Sequence, residues 1–232
     1  PLSESAVRWI KKRVEEGGRL VFAMAWVGRS RRNRAVALYV ALTFRRYAEQ
    51  MTPKRLLVVD FNALHNGVVL ATVEEGRVLQ RGVLRPDVDK IRHLQRQIAR
   101  LDSLCAERED GRICSQAASA KSRLWRLLRR WEDDAARKIV EFAARFEAAI
   151  IADIPLDESM RELKESRYNA EKKALLNFGS LRRRIRELAE WYGILYREER
   201  LYSTVCPICG AKMKELPERR VKCRCGFEAH RD

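Results

Sequence analysis

The sequence contains no run of about twenty apolar residues, the length that a membrane-spanning helix needs. A signal-peptide pattern, internal repeats and low-complexity segments are also missing. These absences exclude a predicted membrane span or membrane partner and a repeat architecture. The 232 residues are enough to bury the core of one or two folded domains.

Acidic residues are scarce relative to basic ones: 32 Asp and Glu stand against 48 Lys and Arg, a formal net charge of +16. Such an excess favours a polyanionic partner, and nucleic acid is the first candidate. The arginines cluster in 29–34 and 182–184, whereas a ribosome-like or merely thermostable surface, the alternative, does not require clusters. Aromatic residues for base stacking are not obvious, because Trp125, Trp131 and Trp191 fit positions that are at least partly core.

Four of the six cysteines stand in two close pairs near the end of the chain. Two residues separate the first pair, one residue separates the second, and a glycine follows each pair. Two such knuckles supply the four soft ligands that Zn²⁺ takes in a tetrahedral zinc ribbon. A reduced cluster without metal and a pair of disulfides are the alternatives. The predicted zinc ligands are Cys206, Cys209, Cys223 and Cys225.

The other two cysteines, Cys105 and Cys114, lie on or near predicted helices. We expect them to be free thiols, as in a reducing cytosol.

The first part of the chain predicts a helix and a β-hairpin. Apolar residues at helical spacing favour a helix over 1–16. Two stretches rich in β-forming residues, 20–27 and 35–44, flank a basic, turn-prone segment and indicate a hairpin. A short helix over 35–49 is the alternative, because alanine is frequent there.

From residue 54 onward, strands and helices alternate. The predicted order is strands over 56–60, 68–73 and 78–84, helices over 88–108 and about 115–148, a strand over 148–154, a helix over about 171–192 and a strand over 194–201. A three-stranded meander followed by helix-linked strands matches the ribonuclease H-like α/β fold. We therefore predict a mixed sheet with flanking helices, an inserted zinc ribbon and a small N-terminal helix and hairpin.

Three acids stand at topologically matched positions in this prediction: Asp60 ends the first strand, Asp153 lies in the fourth, and Asp232 follows the ribbon. In ribonuclease H-like folds, acids at such positions converge on two divalent metal ions. Mg²⁺ prefers hard oxygen ligands, and two ions can stabilise the attacking and leaving oxygens of phosphodiester hydrolysis. Any one of these acids alone fits a cap or a solvated carboxylate, but the three together favour a site.

The end of the chain carries a family resemblance. Residues 202–210 read Y-S-T-V-C-P-I-C-G and residues 221–232 read V-K-C-R-C-G-F-E-A-H-R-D. They resemble the T-S-x-x-C-x-x-C-G, C-x-x-C-G and R-D segments of the TnpB (OrfB) proteins of insertion sequences, which are RNA-guided DNA nucleases related to the type V CRISPR effectors. The similarity extends back through residues 189–193, 178–181, 136–143 and 59–62, so that it covers about 54–232.

The resemblance implies a domain plan. Its segments are a remnant of a wedge-type barrel in 1–53, a RuvC-like nuclease domain in 54–201 that ends in 229–232, and a zinc ribbon in 202–228. It also implies a structural Zn²⁺, two catalytic Mg²⁺ or Mn²⁺ ions, DNA and guide RNA as partners, and a cytoplasmic, nucleoid-associated location in a prokaryotic cell. A homodimer and a transposase partner are both left open.

The resemblance makes Asp60 and Asp232 the first and third acids and the magnesium ligands. At the second acid the family has E-D-L or E-N-L, but this chain has Ala152, Asp153 and Ile154. Adjacent residues on a strand face opposite sides of the sheet, so Asp153 replaces the glutamate only with a twist, a bulge or a one-residue slip. A naturally degenerate site, an engineered loss of the glutamate and catalysis through Asp153 are the alternatives.

Arginines on two predicted helices are assigned to the phosphates of a guide–target heteroduplex, through contacts that weaken steeply with salt. They are Arg123, Arg126, Arg129 and Arg130 on the first helix, and Arg182, Arg183, Arg184 and Arg186 on the second.

The sequence thus predicts a TnpB-like, RNA-guided, metal-dependent DNA endonuclease. The first rival is a catalytically inactive nucleic-acid-binding homologue: an RNA-guided binder, a repressor or a transposition accessory. Ala152 favours that rival, whereas Asp60 with Asp232 opposes it. The second rival is a zinc-ribbon module for protein contacts, which would lack salt-sensitive affinity for nucleic acid.

Overall fold

The computed structural model describes residues 3–29, 36–62, 67–154, 178–202 and 204–230. The chain divides into two compact units, Pro1–Gln50 with Glu190–Gly193 and Met51–Ala189 with Ile194–Asp232. Across the described ranges, no helix combines the length and the apolar character needed to cross a membrane.

The first unit begins with the predicted N-terminal helix. Helix α1 spans Glu4–Glu15, and the hydroxyl of Ser3 caps it by accepting a hydrogen bond from the backbone N–H of Ala6 (3.3 Å). After its last turn, the carboxylate of Glu16 accepts a hydrogen bond from the indole N–H of Trp191 (3.0 Å). Trp191 belongs to the first unit, and this polar contact links it to the end of α1.

The rest of the first unit is a two-stranded hairpin. Strand β1 (Arg19–Arg29) pairs antiparallel with β2 (Val36–Arg45), and Trp26 stacks on Tyr39 across the pair with ring centroids 5.6 Å apart. The predicted hairpin is confirmed, and the alternative helix over 35–49 is wrong. Cross-strand aromatic pairs of this kind favour a strand over a helix.

The second unit contains a five-stranded mixed sheet. In chain order its strands are β3 (Arg55–Phe61), β4 (Val68–Glu74), β5 (Arg77–Leu84), β6 (Ala148–Asp153) and β7 (Tyr196–Glu199). The order in the sheet is β5-β4-β3-β6-β7, where β3 to β5 form the predicted antiparallel meander and β6 and β7 run parallel to β3. All five predicted strands are present, although β7 is shorter than predicted.

Two long helices join β5 to β6. Helix α2 spans Val88–Arg108 and ends where Glu109 adopts a left-handed conformation with φ +51°. Helix α3 spans Gly111–Arg145 and so begins four residues earlier than predicted. The reason is a cap: the carboxylate of Asp110 accepts a backbone N–H of the first turn at 2.8 Å.

Cys105, near the end of α2, forms a disulfide with Cys114, in the first turn of α3. The prediction of two free thiols is therefore wrong. The chain reverses within two residues between the helices, and this brings the two Cα atoms within 5.0 Å, a separation that a disulfide can bridge. The sequence pattern gave each helix separately and did not indicate that their ends meet.

Helix α4 (Phe178–Trp191) lies on the same side of the sheet as α3. Leu181 and Ile185 of α4 are fully buried with Ile139 of α3 in one hydrophobic core. The first part of the predicted helix, 171–177, lies outside the described residues.

The two faces of the sheet differ along β3 and β6. The side chains of one face are buried under α3 and α4, and we call it the core face; its members include Leu57, Val59, Phe61, Ile150 and Ala152. Toward the ends of both strands the alternate residues are only half-buried and belong to the second face; they are Val58, Asp60, Ile151 and Asp153. This alternation is the one expected of strands with one covered face.

A small antiparallel sheet follows β7. It consists of β8 (Lys214–Leu216), β9 (Arg220–Lys222) and β10 (Glu228–His230), in the order β10-β9-β8. Its own core contains two of the paired cysteines with Met213 and Val221. With so few apolar residues, a sheet of this size depends on a further crosslink for stability.

Candidate functional site

Three acidic side chains stand in one row where β3, β6 and β7 end. Asp153 of β6 is the register partner of Glu199 of β7. On β3, Val59 is the register partner of Ala152, and Asp60 follows Val59. Register partners in neighbouring strands point to the same face, and successive residues alternate, so Asp60, Asp153 and Glu199 share the second face.

Ala152 lies on the core face. It is fully buried beside Val59, in the hydrophobic core under α3 and α4. The register therefore puts Asp153, and not Ala152, on the same face as Asp60. Within this sheet, no bulge in β6 is needed to bring the two aspartates to one side.

A hydrogen bond fixes the carboxylate of Asp60. The side-chain amide of Asn62 donates to Oδ2 of Asp60 at 2.8 Å. Asn62 is itself buried, and its backbone N–H donates to the carbonyl of Gly67 at 3.0 Å. Gly67 has φ +71°, and a Cβ there would lie 2.2 Å from the carbonyl oxygen of Leu84, so only glycine fits. Asn62 thus orients the carboxylate of Asp60.

A backbone N–H after β7 holds the carboxylate of Asp153. Its Oδ1 accepts a hydrogen bond from the backbone N–H of Leu201 at 2.9 Å, directly after β7. A backbone donor on one oxygen leaves further lone pairs of the carboxylate for another ligand.

Glu199 was missed by the sequence analysis. It is exposed at the end of β7, next to the Asp153 position in the sheet. The predicted strand runs over 194–201, so Glu199 lies inside it, and only the observed end of β7 at Glu199 puts this residue in the row. Asp232, the predicted third acid, lies outside the described residues.

The acidic row fits a hard divalent cation in its donor chemistry. Its described members offer carboxylate oxygens, the ligands that Mg²⁺ and Mn²⁺ prefer. Hydrogen bonds to Asp60 and Asp153 hold the two carboxylates in fixed orientations, as ligands of a metal commonly are.

The four paired cysteines converge on one point. Their sulfur atoms all lie within 4.8 Å of one another, and none of the four is in a disulfide. Each pair is held by a tight turn that ends in glycine: Gly210 (φ +68°) donates its N–H to the carbonyl of Cys206, and Gly226 (φ +90°) to that of Cys223. The cluster can hold a metal ion such as zinc.

The thiol pKa values reflect how closely the four sulfur atoms lie. Burial opposes ionisation of Cys206, but the backbone N–H groups of Cys209 and Ile208 and the neighbouring thiols bring its pKa down to about 7. The pKa of Cys223 is raised to about 12: an N–H of Cys225 favours its thiolate, but burial and the three other sulfurs outweigh it. Four thiolates so close together require a positive charge between them.

The predicted phosphate-binding arginines on α4 fall into two groups. Arg182 and Arg186 form ion pairs with Glu198 of β7, at 3.2 Å and 2.6 Å. The hydroxyl of Tyr196 donates to the same carboxylate at 2.8 Å. These two arginines therefore hold α4 against the sheet. Arg183 is exposed instead and has no ion pair with any residue that the structure describes.

On α3, the predicted arginines point mostly to solvent. Arg123 donates a hydrogen bond to Gln97 of α2 at 3.3 Å, whereas Arg126 and Arg130 are exposed. Trp125, on the same helix, is 58% exposed, so its assignment to the core is wrong. Trp131 packs against the core, as predicted.

A cleft of about 440 Å³ lies between α3 and α4. Both helices contribute charged side chains to it. Its lining residues are Arg129, Glu132, Asp133, Ser180, Arg183, Arg184 and Glu187.

Comparison with known proteins agrees with this architecture. Residues 178–232 match the family model described as Cas12f1-like, TNB domain. No curated protein matches the chain. Two cryo-EM structures are similar to it, a CRISPR-Cas12f ternary complex (TM-score 0.56) and a Cas12f1-sgRNA-target DNA complex (TM-score 0.59), each at 15% identity.

The two alignments cover 99% and 91% of this chain but 47% and 42% of the matched chains. The chain therefore spans less than half the length of these relatives, and at this identity the likeness shows the mixed α/β fold. Together with the match of residues 178–232 to the TNB domain model, it confirms the resemblance to TnpB/Cas12f-like type V effectors that the sequence carries.

Proposed function

We propose that this chain carries the nuclease part of an RNA-guided DNA endonuclease. The observation that carries the proposal is the row of Asp60, Asp153 and Glu199 on one face at the ends of β3, β6 and β7. Carboxylates are the side chains that hold the divalent cations of phosphodiester hydrolysis, and these three share one face of the sheet.

The sheet supports a ribonuclease H-like, RuvC-like assignment of residues 54–201 and 229–232. Three antiparallel strands, β3 to β5, form one side of the sheet. Strands β6 and β7 run parallel to β3, and helices precede each of them in the chain. The parallel strands deliver their carboxyl ends to one edge, where ligands of such sheets bind. Acids at the ends of β3 and β6 therefore stand where this fold is expected to hold them.

In this mechanism, bound Mg²⁺ or Mn²⁺ supplies Lewis-acid stabilisation of the attacking and leaving oxygens. Asp60 and Asp153 are the acids of this chain that would hold the metal, and Asp232 is proposed as the third. Asn62 keeps the Asp60 carboxylate oriented through its 2.8 Å hydrogen bond. The N–H of Leu201 does the same for Asp153.

Nucleic acid is the proposed partner. The two similar structures are complexes, one of them with an sgRNA and target DNA, and the net charge of +16 is consistent with such a ligand. We propose guide RNA and target DNA as partners of this chain and residues 202–228 as its zinc ribbon. The clustered thiols support Zn²⁺ as the ion of that ribbon.

The test uses the purified chain with its co-purified RNA and end-labelled DNA, in Mg²⁺ and in Mn²⁺. We expect cleavage only with metal, and we expect Asp60→Asn to abolish it. Asp89→Asn, an exposed acid in the first turn of α2, is the matched control and should cleave normally. Equal cleavage by wild type and Asp60→Asn would show that the activity comes from elsewhere.

One observation favours a second candidate, an inactive nucleic-acid-binding relative. Ala152 stands at the family's glutamate position and is fully buried, so it offers no ligand. This candidate predicts DNA that is bound in the presence of RNA but remains uncut in both metals.

A further inference from the structure

We propose that the cleft between α3 and α4 binds a single nucleic-acid strand, with Arg129 and Arg183 on phosphates and Trp125 stacked on a base. The inference rests on the proposed function for its class of ligand. It adds a specific site, and it separates the arginines that bind from those that hold the fold.

The cleft has the size of a ligand site. Its volume of about 440 Å³ lies within the range of roughly 300–1,000 Å³ that is typical of small-molecule pockets. It opens to solvent between two helices of the second unit, so a strand can enter without being threaded.

The charges in the cleft leave two guanidinium groups for a ligand. Arg184 is occupied, because it pairs with Asp133 (3.0 Å) and with Glu187 (3.4 Å). Arg129 and Arg183 are exposed, and neither has an ion pair with a residue in the described part of the chain. Guanidinium groups bind phosphate through two parallel hydrogen bonds.

Three acids balance the three arginines of the cleft in number, but each acid already has a partner other than Arg129 and Arg183. Asp133 and Glu187 are partly neutralised by Arg184. Glu132 is half-buried, and burial raises its pKa above the usual value, although its hydrogen bond with Ser180 and the charge of Arg129 act the other way.

Trp125 offers a stacking surface about one helical turn from Arg129, next to the residues that line the cleft. It lies four residues before Arg129 on α3, so the two side chains are neighbours on one helix face. A large exposed apolar residue alone means little. A 58% exposed indole next to a guanidinium is the arrangement that single-strand binders use, with bases on the aromatic ring and phosphates on the cations. A duplex offers no unstacked base, so the ligand is a single strand.

The first experiment measures binding of fluorescein-labelled single strands of about ten nucleotides, a length within the binding-site sizes known for single-strand-binding proteins. It uses oligo-dT and oligo-U to distinguish DNA from RNA. No divalent cation and no chelator is added, so that the metal of the ribbon is undisturbed. The variant is R129A/R183A, and the control R100A/R112A removes two exposed arginines from α2 and the start of α3.

Loss of two phosphate contacts should lower the slope of log affinity against log salt by about 1.4, because each contact contributes about 0.7 on single strands. We expect R129A/R183A to lose more than tenfold in affinity and the control, with the same net charge, to lose much less. Equal losses in both variants would mean that only total charge matters, and the cleft would be excluded as a site.

The second experiment tests stacking. Trp125→Ala should weaken binding about tenfold, since stacking contributes about 1–3 kcal/mol per base. Trp125→Phe keeps an aromatic face and should recover most of that affinity. Binding should also quench tryptophan fluorescence in the wild type, and less in Trp125→Phe. Unchanged affinity in Trp125→Ala, or duplex that competes as well as single strand, would overturn the proposal.

These measurements are independent of catalysis. If the chain fails to cut DNA but the cleft variants lose binding, the nuclease proposal fails and the cleft stands. If the chain cuts DNA and the cleft variants bind as the wild type does, the opposite holds.

Discussion

Neighbouring residues at the ends of β3, β6 and β7 have opposite surroundings. On the core face the side chains lie under α3 and α4, and on the second face they are half-buried or exposed. The pairs, core face first, are Val59 and Asp60, Ala152 and Asp153, and Glu198 and Glu199. One step along a strand thus separates a residue that supports the fold from one that can bind a ligand.

The pair on β7 makes the comparison sharpest, because both of its members are glutamates. Glu198 accepts a hydrogen bond from Tyr196 and pairs with Arg182 and Arg186, so its charge is used within the fold. Glu199 is exposed beside Asp153. The difference teaches that the residue type alone does not assign an acid to a site; the face of the strand decides.

The largest expected effect comes from Asp153→Asn. Asparagine keeps an oxygen that can accept the N–H of Leu201, so the fold should be preserved while the charge is lost. Cleavage should fall by more than about a hundredfold, the upper end of the cost of removing a residue that merely supports a metal ligand. The measurement is the single-turnover cleavage rate in Mg²⁺. A normal cleavage rate in this variant would show that Asp153 is not part of the metal site. The second face of β6 would then not differ in function from its core face.

Ala152→Glu tests the other member of that pair. A carboxylate at a fully buried position of the core face has no partner, so we expect a loss of more than about 3 kcal/mol in the free energy of unfolding and no gain in cleavage. Denaturant unfolding measures the first and the nuclease assay the second. Ala152→Ser, of nearly the same size, is the control for the position. A stable and more active Ala152→Glu would show that the register changes and that this position is catalytic.

Much of the fold could be predicted from the sequence, because its strongest signals are local. The alternation in β3 and β6 and the apolar stripe of α3 follow from burial of one face, and the order of strands followed from them. The cysteine spacing likewise gave the thiol cluster, because both knuckles are short.

The remaining features depend on contacts between distant segments. The disulfide of Cys105 and Cys114 requires the turn that brings two helix ends together. The partnership of Asp153 with Glu199 depends on the register of two strands more than forty residues apart in the printed sequence. The ion pair between Arg182 and Glu198 depends on how α4 packs on the sheet. No local pattern encodes any of these.

Glu198→Gln should lower stability without affecting metal binding. The loss should be about 1–2 kcal/mol, because a charge-assisted network is replaced by neutral hydrogen bonds at a site that is one-fifth exposed. Burial opposes the charge of Glu198, but Tyr196, Arg186 and Arg182 together lower its pKa. A lowered folded-state pKa means that the stabilisation is present above the unfolded value of 4.5 and is lost as pH falls through the folded value.

The measurement is therefore the difference in unfolding free energy between wild type and Glu198→Gln, at pH 7 and again below pH 4. We expect that difference to shrink at the lower pH. If the difference in unfolding free energy is the same at both pH values, the side chain of Glu198 stabilises the fold through packing and neutral hydrogen bonds and not through its charge.

Glu199→Gln is the matched opposite and has the smallest expected effect. Since Glu199 is exposed and lies at the end of β7, its loss should leave the unfolding free energy within about 0.5 kcal/mol of the wild type. Affinity for Mn²⁺, followed by electron paramagnetic resonance, should fall by less than about tenfold, the lower end of the effect of removing a residue that supports a metal ligand. If Glu199→Gln instead changed stability and left Mn²⁺ affinity unchanged, the two glutamates would have the same role. The division into a core face that supports the fold and a second face that binds a ligand would then hold for β3 and β6 but not for β7.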